Sequence, residues 1–125
     1  MTNEMYNNDE ILTYLSMDSE EILVELGDEL TEDSGLGAIP KSRQELKTMG
    51  NAWFEKNKKA FCGSIKKSDF INEYISGTSQ VSKVELVAAV LDVVSSVAKG
   101  YSVFLASILI VKYGVTKTCL NDSLD

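Results

Sequence analysis

The side chains able to do covalent or acid–base chemistry in this chain are two cysteines, Cys62 and Cys119, and nineteen carboxylates, with no histidine beside them. Without an imidazole there is no histidine base, no Ser-His-Asp or Cys-His pair and no His-liganded zinc site. Cys62 stands near Lys58, Lys59 and Lys66 in the sequence, cations that lower the pKa of an exposed thiol, but no general base accompanies it. The adjacent acids Glu20 with Glu21 and Asp28 with Glu29 lie in helix-forming sequence without the Glu-x-x-His pattern of a metal-binding bundle. Gly35-x-Gly37 is followed by Pro40 and lacks the lysine of a phosphate-cradling loop. This inventory predicts a protein that is not an enzyme, with no metal, no cofactor and no small-molecule substrate.

Binding chemistry is better represented. The formal net charge of −7 is unevenly laid out: residues 1–39 carry eleven acids and no Lys or Arg, whereas residues 40–67 carry eight cations against Glu45 and Glu55. The expected electrostatic contact residues are therefore Lys41, Arg43, Lys47, Lys58 and Lys59 on one side and Asp28, Glu29 and Glu32 on the other. The acidic block has three readings: a lure for a basic partner, a lid across the basic helix, or the solvated face of an ordinary helix. Nucleic-acid binding through residues 41–67 would need aromatic rings beside the lysines. Trp53, Phe54 and Phe61 instead fall on the opposite helical face, so this reading ranks below protein binding.

Helices must position these groups. A chain of 125 residues supports one core, and one proline with eight glycines is poor in the breakers that a turn-rich β fold needs. Helical periodicity is expected near residues 8–17. Asp18 reads as an N-cap, after which Ile22, Leu26 and Leu30 mark a buried stripe. Pro40 and the capping box Ser42-x-x-Glu45 open a long amphipathic helix that Gly63 is expected to end. Leu46, Met49, Gly50, Trp53, Phe54, Ala60 and Phe61 form its apolar face, where Asn57 needs a hydrogen-bond partner. Ser68 and Gly77 bracket a short helix, and Ser82-x-x-Glu85 is a second capping box. The fold class is all-α: a single-domain bundle of five or six helices, with an acidic segment 1–39 built into or docked on it, a core 40–118 and a flexible tail 119–125.

Between residues 84 and 115, 22 of 32 residues are apolar. The first half keeps a polar stripe of Glu85, Asp92, Ser96 and Lys99, and the second, from Tyr101 to Val111, is apolar nearly all round. A membrane-inserting hairpin over 84–111 is the alternative function, but its longest uncharged stretch is twelve residues, against the roughly 20 needed to span a bilayer. A core role is favoured, with Tyr101, Phe104 and Ile108 left over as an apolar contact surface for a partner. The first twenty residues carry acids rather than a basic region and an apolar run, which predicts a cytoplasmic protein with Cys62 and Cys119 reduced. The overall expectation is a protein–protein interaction module, a subunit or accessory of a homo- or hetero-oligomer.

Overall fold

The computed structural model describes residues 7–33, 41–77, 81–98 and 100–120. Gly35, Gly37, Pro40, Lys99 and the tail residues 121–125 lie outside them. The fold is all-α: helices α1 (Asn8–Ser16), α2 (Ser19–Asp33), α3 (Arg43–Lys66), α4 (Asp69–Ser76), α5 (Lys83–Val94) and α6 (Tyr101–Tyr113), then a π-helical turn, Thr116–Leu120. Among the described residues that is one element beyond the five or six expected.

Local sequence chemistry sets most of the helix ends. Ser42 Oγ accepts from Glu45 N at 3.1 Å while Glu45 Oε1 accepts from Ser42 N at 2.8 Å, and Ser82 with Glu85 repeats the arrangement. These reciprocal bonds satisfy amide groups that the first helical turn leaves without partners. At the end of α4, Gly77 takes φ of 85°, the left-handed conformation that a side chain resists. Asn57 donates to Trp53 O at 2.9 Å, so its partner is its own helix. Gly63 does not end α3, which continues to Lys66 because Ile65, two residues further, is buried in the core. Ala60, expected on the apolar side, is exposed.

The long helices α2 and α3 pack together more extensively than any other pair. Glycine makes this possible. A Cβ on Gly27 would lie closer than 3.0 Å to the Leu46 backbone, its carbonyl oxygen included, and one on Gly50 would crowd the Leu23 carbonyl oxygen equally. The two backbones touch with Cα–H groups facing carbonyl oxygens, a close approach that only residues without side chains permit. Ile22, Leu23 and Leu26 of α2 are thereby driven into the same core as Phe54, Phe61 and Ile65 of α3.

Helix α6 is the centre of that core, and every residue from Ser102 to Val111 is buried. Its β-branched run stays helical because α1, α2, α5 and the π turn enclose it on all sides. The internal hydroxyl of Ser107 is satisfied by donating to Val103 O at 2.9 Å. No described helix is long and apolar enough to cross a membrane.

The cysteines correct the sequence reading. Cys62 and Cys119 form a disulfide across 57 residues of sequence, with Cα atoms 5.2 Å apart, rather than two reduced thiols. Cys119 is also fully buried, so residue 119 belongs to the packed structure and not to a flexible tail. Neither position signals this in sequence, because the pairing depends on α6 returning the chain to the last turns of α3.

Two expected outcomes follow from this packing. Gly50→Ala forces α2 from α3 and should cost at least about 2 kcal/mol in urea unfolding, whereas Gly63→Ala, with open space around the added methyl, should gain up to about 1 kcal/mol. Under denaturing, non-reducing conditions the protein should titrate no free thiol, and Cys119→Ser should lower stability by about 2–4 kcal/mol through loss of a 57-residue cross-link.

Candidate interaction surface

Helix α3 carries six of the twelve basic residues, with Lys67 at its C-cap, and the fold divides them by what α2 can reach. Arg43 Nη2 lies 3.1 Å from Glu21 Oε2, and Lys47 Nζ lies 3.7 Å from Glu20 Oε1. Both pairs are about half exposed, so each contributes at most about 1 kcal/mol. Lys58 pairs within its own helix to Glu55 at 3.2 Å. Lys56, Lys59 and Lys67 are exposed, and no described residue forms an ion pair with them. They share the outer side of the C-terminal end of α3 with Lys66, Ala60 and Gly63, all of them exposed. At about 1.5 Å per residue Lys59 stands some 24 Å along the axis from Arg43, roughly three screening lengths at physiological salt.

The residues expected to act together are therefore separated. Arg43 and Lys47 are engaged by Glu21 and Glu20 in the first turn of α2. Asp28 and Glu32 are exposed, Glu29 is half buried, and Lys41 sits half buried just before α3. Ile22 and Leu26 on the inner side of the acidic helix are completely buried.

The apolar contact set is overturned. Phe104 and Ile108 have no solvent exposure and Tyr101 is only half exposed, so none of the three offers an open apolar surface. Helix α1 covers this region. Tyr14 packs edge-on against Phe104 with ring centroids 5.4 Å apart and against Tyr101 at 6.2 Å, while the Tyr101 and Phe104 rings stack at 5.7 Å. The two phenol oxygens are hydrogen-bonded to each other, and Tyr14 donates to Glu25 Oε1 at 3.0 Å. Lys112 of α6 donates to Leu15 O at 2.8 Å, supplying the cation that the last turn of α1 lacks. Burial is the main reason both phenols titrate above their ordinary value. For Tyr101 the hydrogen bond with Tyr14 and the Glu25 charge push further in the same direction.

Open apolar surface appears elsewhere, on Leu12, Phe70, Val97 and Tyr113, which are 53%, 41%, 36% and 36% exposed. Phe70 stands over a depression of about 310 Å³ walled by Glu85, Ala88, Ala89, Asp92 and Val93 of α5. A second depression, about 390 Å³, adjoins it through Ser68, Asp92 and Val93 and extends to Ser64, Lys67 and Ser96. Glu85, Asp92 and Ser96, part of the expected polar stripe, line these depressions together with Phe70 of α4. The usable signal was the pair Ala88 and Ala89 between the acids, because small residues leave a trough where larger ones would fill it. A third hollow, beside Phe54, Lys58, Lys112 and Lys117, offers less, because Lys58 and Lys112 already have partners. Among the described residues no group of three or more His, Cys, Asp or Glu is arranged to hold a metal ion.

The tyrosine cluster generates a pH prediction. A phenol whose folded pKa is raised above its unfolded value stabilises the fold fully below about pH 10, and that contribution is lost as pH rises through the folded value. The urea midpoint should fall more steeply above pH 10 in the native protein than in Tyr14→Phe/Tyr101→Phe, and equal slopes would contradict the cluster. No family model, curated protein or solved structure matches this chain.

Proposed function

We propose that this protein is a non-enzymatic protein-interaction module that docks an acidic protein surface on the outer side of the C-terminal part of α3. The observation that carries the proposal is the division of the α3 cations. Arg43, Lys47 and Lys58 are paired within the chain, whereas Lys56, Lys59 and Lys67 face solvent together without an ion pair among the described residues. Three exposed lysines on one face raise the encounter rate with an acidic surface and fix its register. The net charge of −7 does not cancel this attraction, since charges beyond about 8 Å are largely screened at physiological salt.

The competing readings have weaker support. Nucleic-acid binding would draw on the same lysines, but Phe54 and Phe61 are buried and supply no stacking platform. Membrane insertion of residues 84–111 would require unpacking α6, whose Ser102–Val111 stretch is entirely buried.

Affinity capture from the cells that make the protein tests the proposal, comparing the native chain with Lys56→Glu/Lys59→Glu/Lys67→Glu at 50 and 300 mM salt. A stoichiometric acidic partner should be retained by the native chain at low salt, weakened at high salt and lost at least tenfold with the triple variant. Equal recovery of the same partner by both chains would refute the docking face, and recovery of nucleic acid instead would favour the competing reading.

A further inference from the structure

Beside the lysine face, the two adjoining depressions form one trough along α5. Its wall is made of Glu85, Ala88, Ala89, Asp92 and Val93, residues at i, i+3, i+4, i+7 and i+8 on one face of α5, continued by Ser96 in the turn just beyond the helix. Opposite stand Ser64 and Lys67 at one end and Phe70 toward the other, with the Ser64 and Ser96 hydroxyls 3.5 Å apart closing the Lys67 end. The wall spans roughly 16 Å, the length of a three-turn helix. Its floor is small and apolar at Ala88 and Ala89, and Phe70 supplies an exposed ring.

The charges along the trough are ordered. Glu85 stands at the Phe70 end, which contains no cation, Asp92 lies between the two depressions and lines both, and Lys67, the one cation lining either, stands at the other end; no described residue forms an ion pair with Asp92 or Lys67. An ordinary α-helix favours acids in its first turn and bases in its last, because of its macrodipole. We infer that the trough takes a three-turn amphipathic helix of the partner, running antiparallel to α5, with its acidic first turn at Lys67 and its basic last turn at Glu85. This inference rests on the protein-binding reading above and names the element that the partner presents. The partner's apolar side chains lie on Ala88, Ala89 and Phe70, and its acidic end meets Lys67, which the trough shares with the lysine face.

Two hydrocarbon-stapled 12-residue peptides provide the test, with identical leucines facing the trough. One carries Glu in the first turn and Arg in the last; the other has these charges exchanged. Fluorescence anisotropy with the intact chain should give the first peptide at least tenfold tighter binding. Lys67→Glu should weaken it at least fivefold, Ala89→Arg should abolish it, and Thr116→Arg, at a residue that lines neither depression, should leave it unchanged. Far-ultraviolet circular dichroism and melting of each variant separate lost binding from lost folding, and Lys67, being exposed, keeps the test open if Ala89→Arg misfolds. A nitroxide on the acidic end of the peptide should broaden the Lys67 and Ser96 amide signals, and one on the basic end those of Glu85. No binding at 1 mM, equal affinity of the two peptides or broadening in the opposite order would overturn the inference. So would a concentration-dependent dimer of the native chain abolished by Ala89→Arg, which would assign the trough to a second copy. Loss of the cellular partner with the triple lysine variant, together with failure of both peptides, would leave the lysine face standing and remove only the trough.

Discussion

The contact of α2 and α3 at Gly27 and Gly50 is the constraint on which the remaining arrangement depends. With backbone against backbone, α2 has a fixed placement along α3, which brings Glu20 and Glu21 to Lys47 and Arg43 and stops there. A methyl group at either glycine would hold the helices apart and loosen both ion pairs. The pairs contribute little stability, being half exposed. Their importance is in what they consume: they neutralise the first turns of α3 and leave its distal lysines to solvent.

The same contact delivers the inner faces of both helices to α6, whose wholly buried run makes it the hub of the core. Closing that hub takes three further devices: α1 with Tyr14 over Phe104, the cap that Lys112 places on α1, and the disulfide that pins the π turn to α3. Each uses apolar or polar surface that would otherwise be open to a partner. On the proposed reading, recognition falls to the outer faces of α3, α4 and α5, where charge and shallow relief, not a large greasy patch, would provide specificity.

Much of the fold was legible in the chain because its cues are local. The Ser42–Glu45 and Ser82–Glu85 boxes, the left-handed Gly77 and the apolar stripe of α2 each act within a few residues and appear where the spacing predicts. The site was less legible, because exposure is a tertiary property. Phe104 and Ile108 resemble interface residues until α1 is known to lie over that side of α6, and Phe70 resembles core until Ile71 proves to be the residue that turns inward. The disulfide was misread for the same reason, since its cysteines come together only through the path of the chain. Segregated charge was visible from the start, but which cations α2 consumes depends on where two glycines let it settle.

The central claim is that α2 sorts the α3 lysines into an internally engaged set and a docking set. Quantitative acetylation of lysines by a water-soluble ester, read by mass spectrometry on the free protein and on its complex isolated from cells, measures that sorting residue by residue. The account predicts Lys56, Lys59 and Lys67 to react fast in the free protein and to be protected in the complex, with Lys47 slower and unchanged. Equal reactivity of Lys47 and Lys59 in the free protein, or no protection of the distal lysines in the complex, would contradict it.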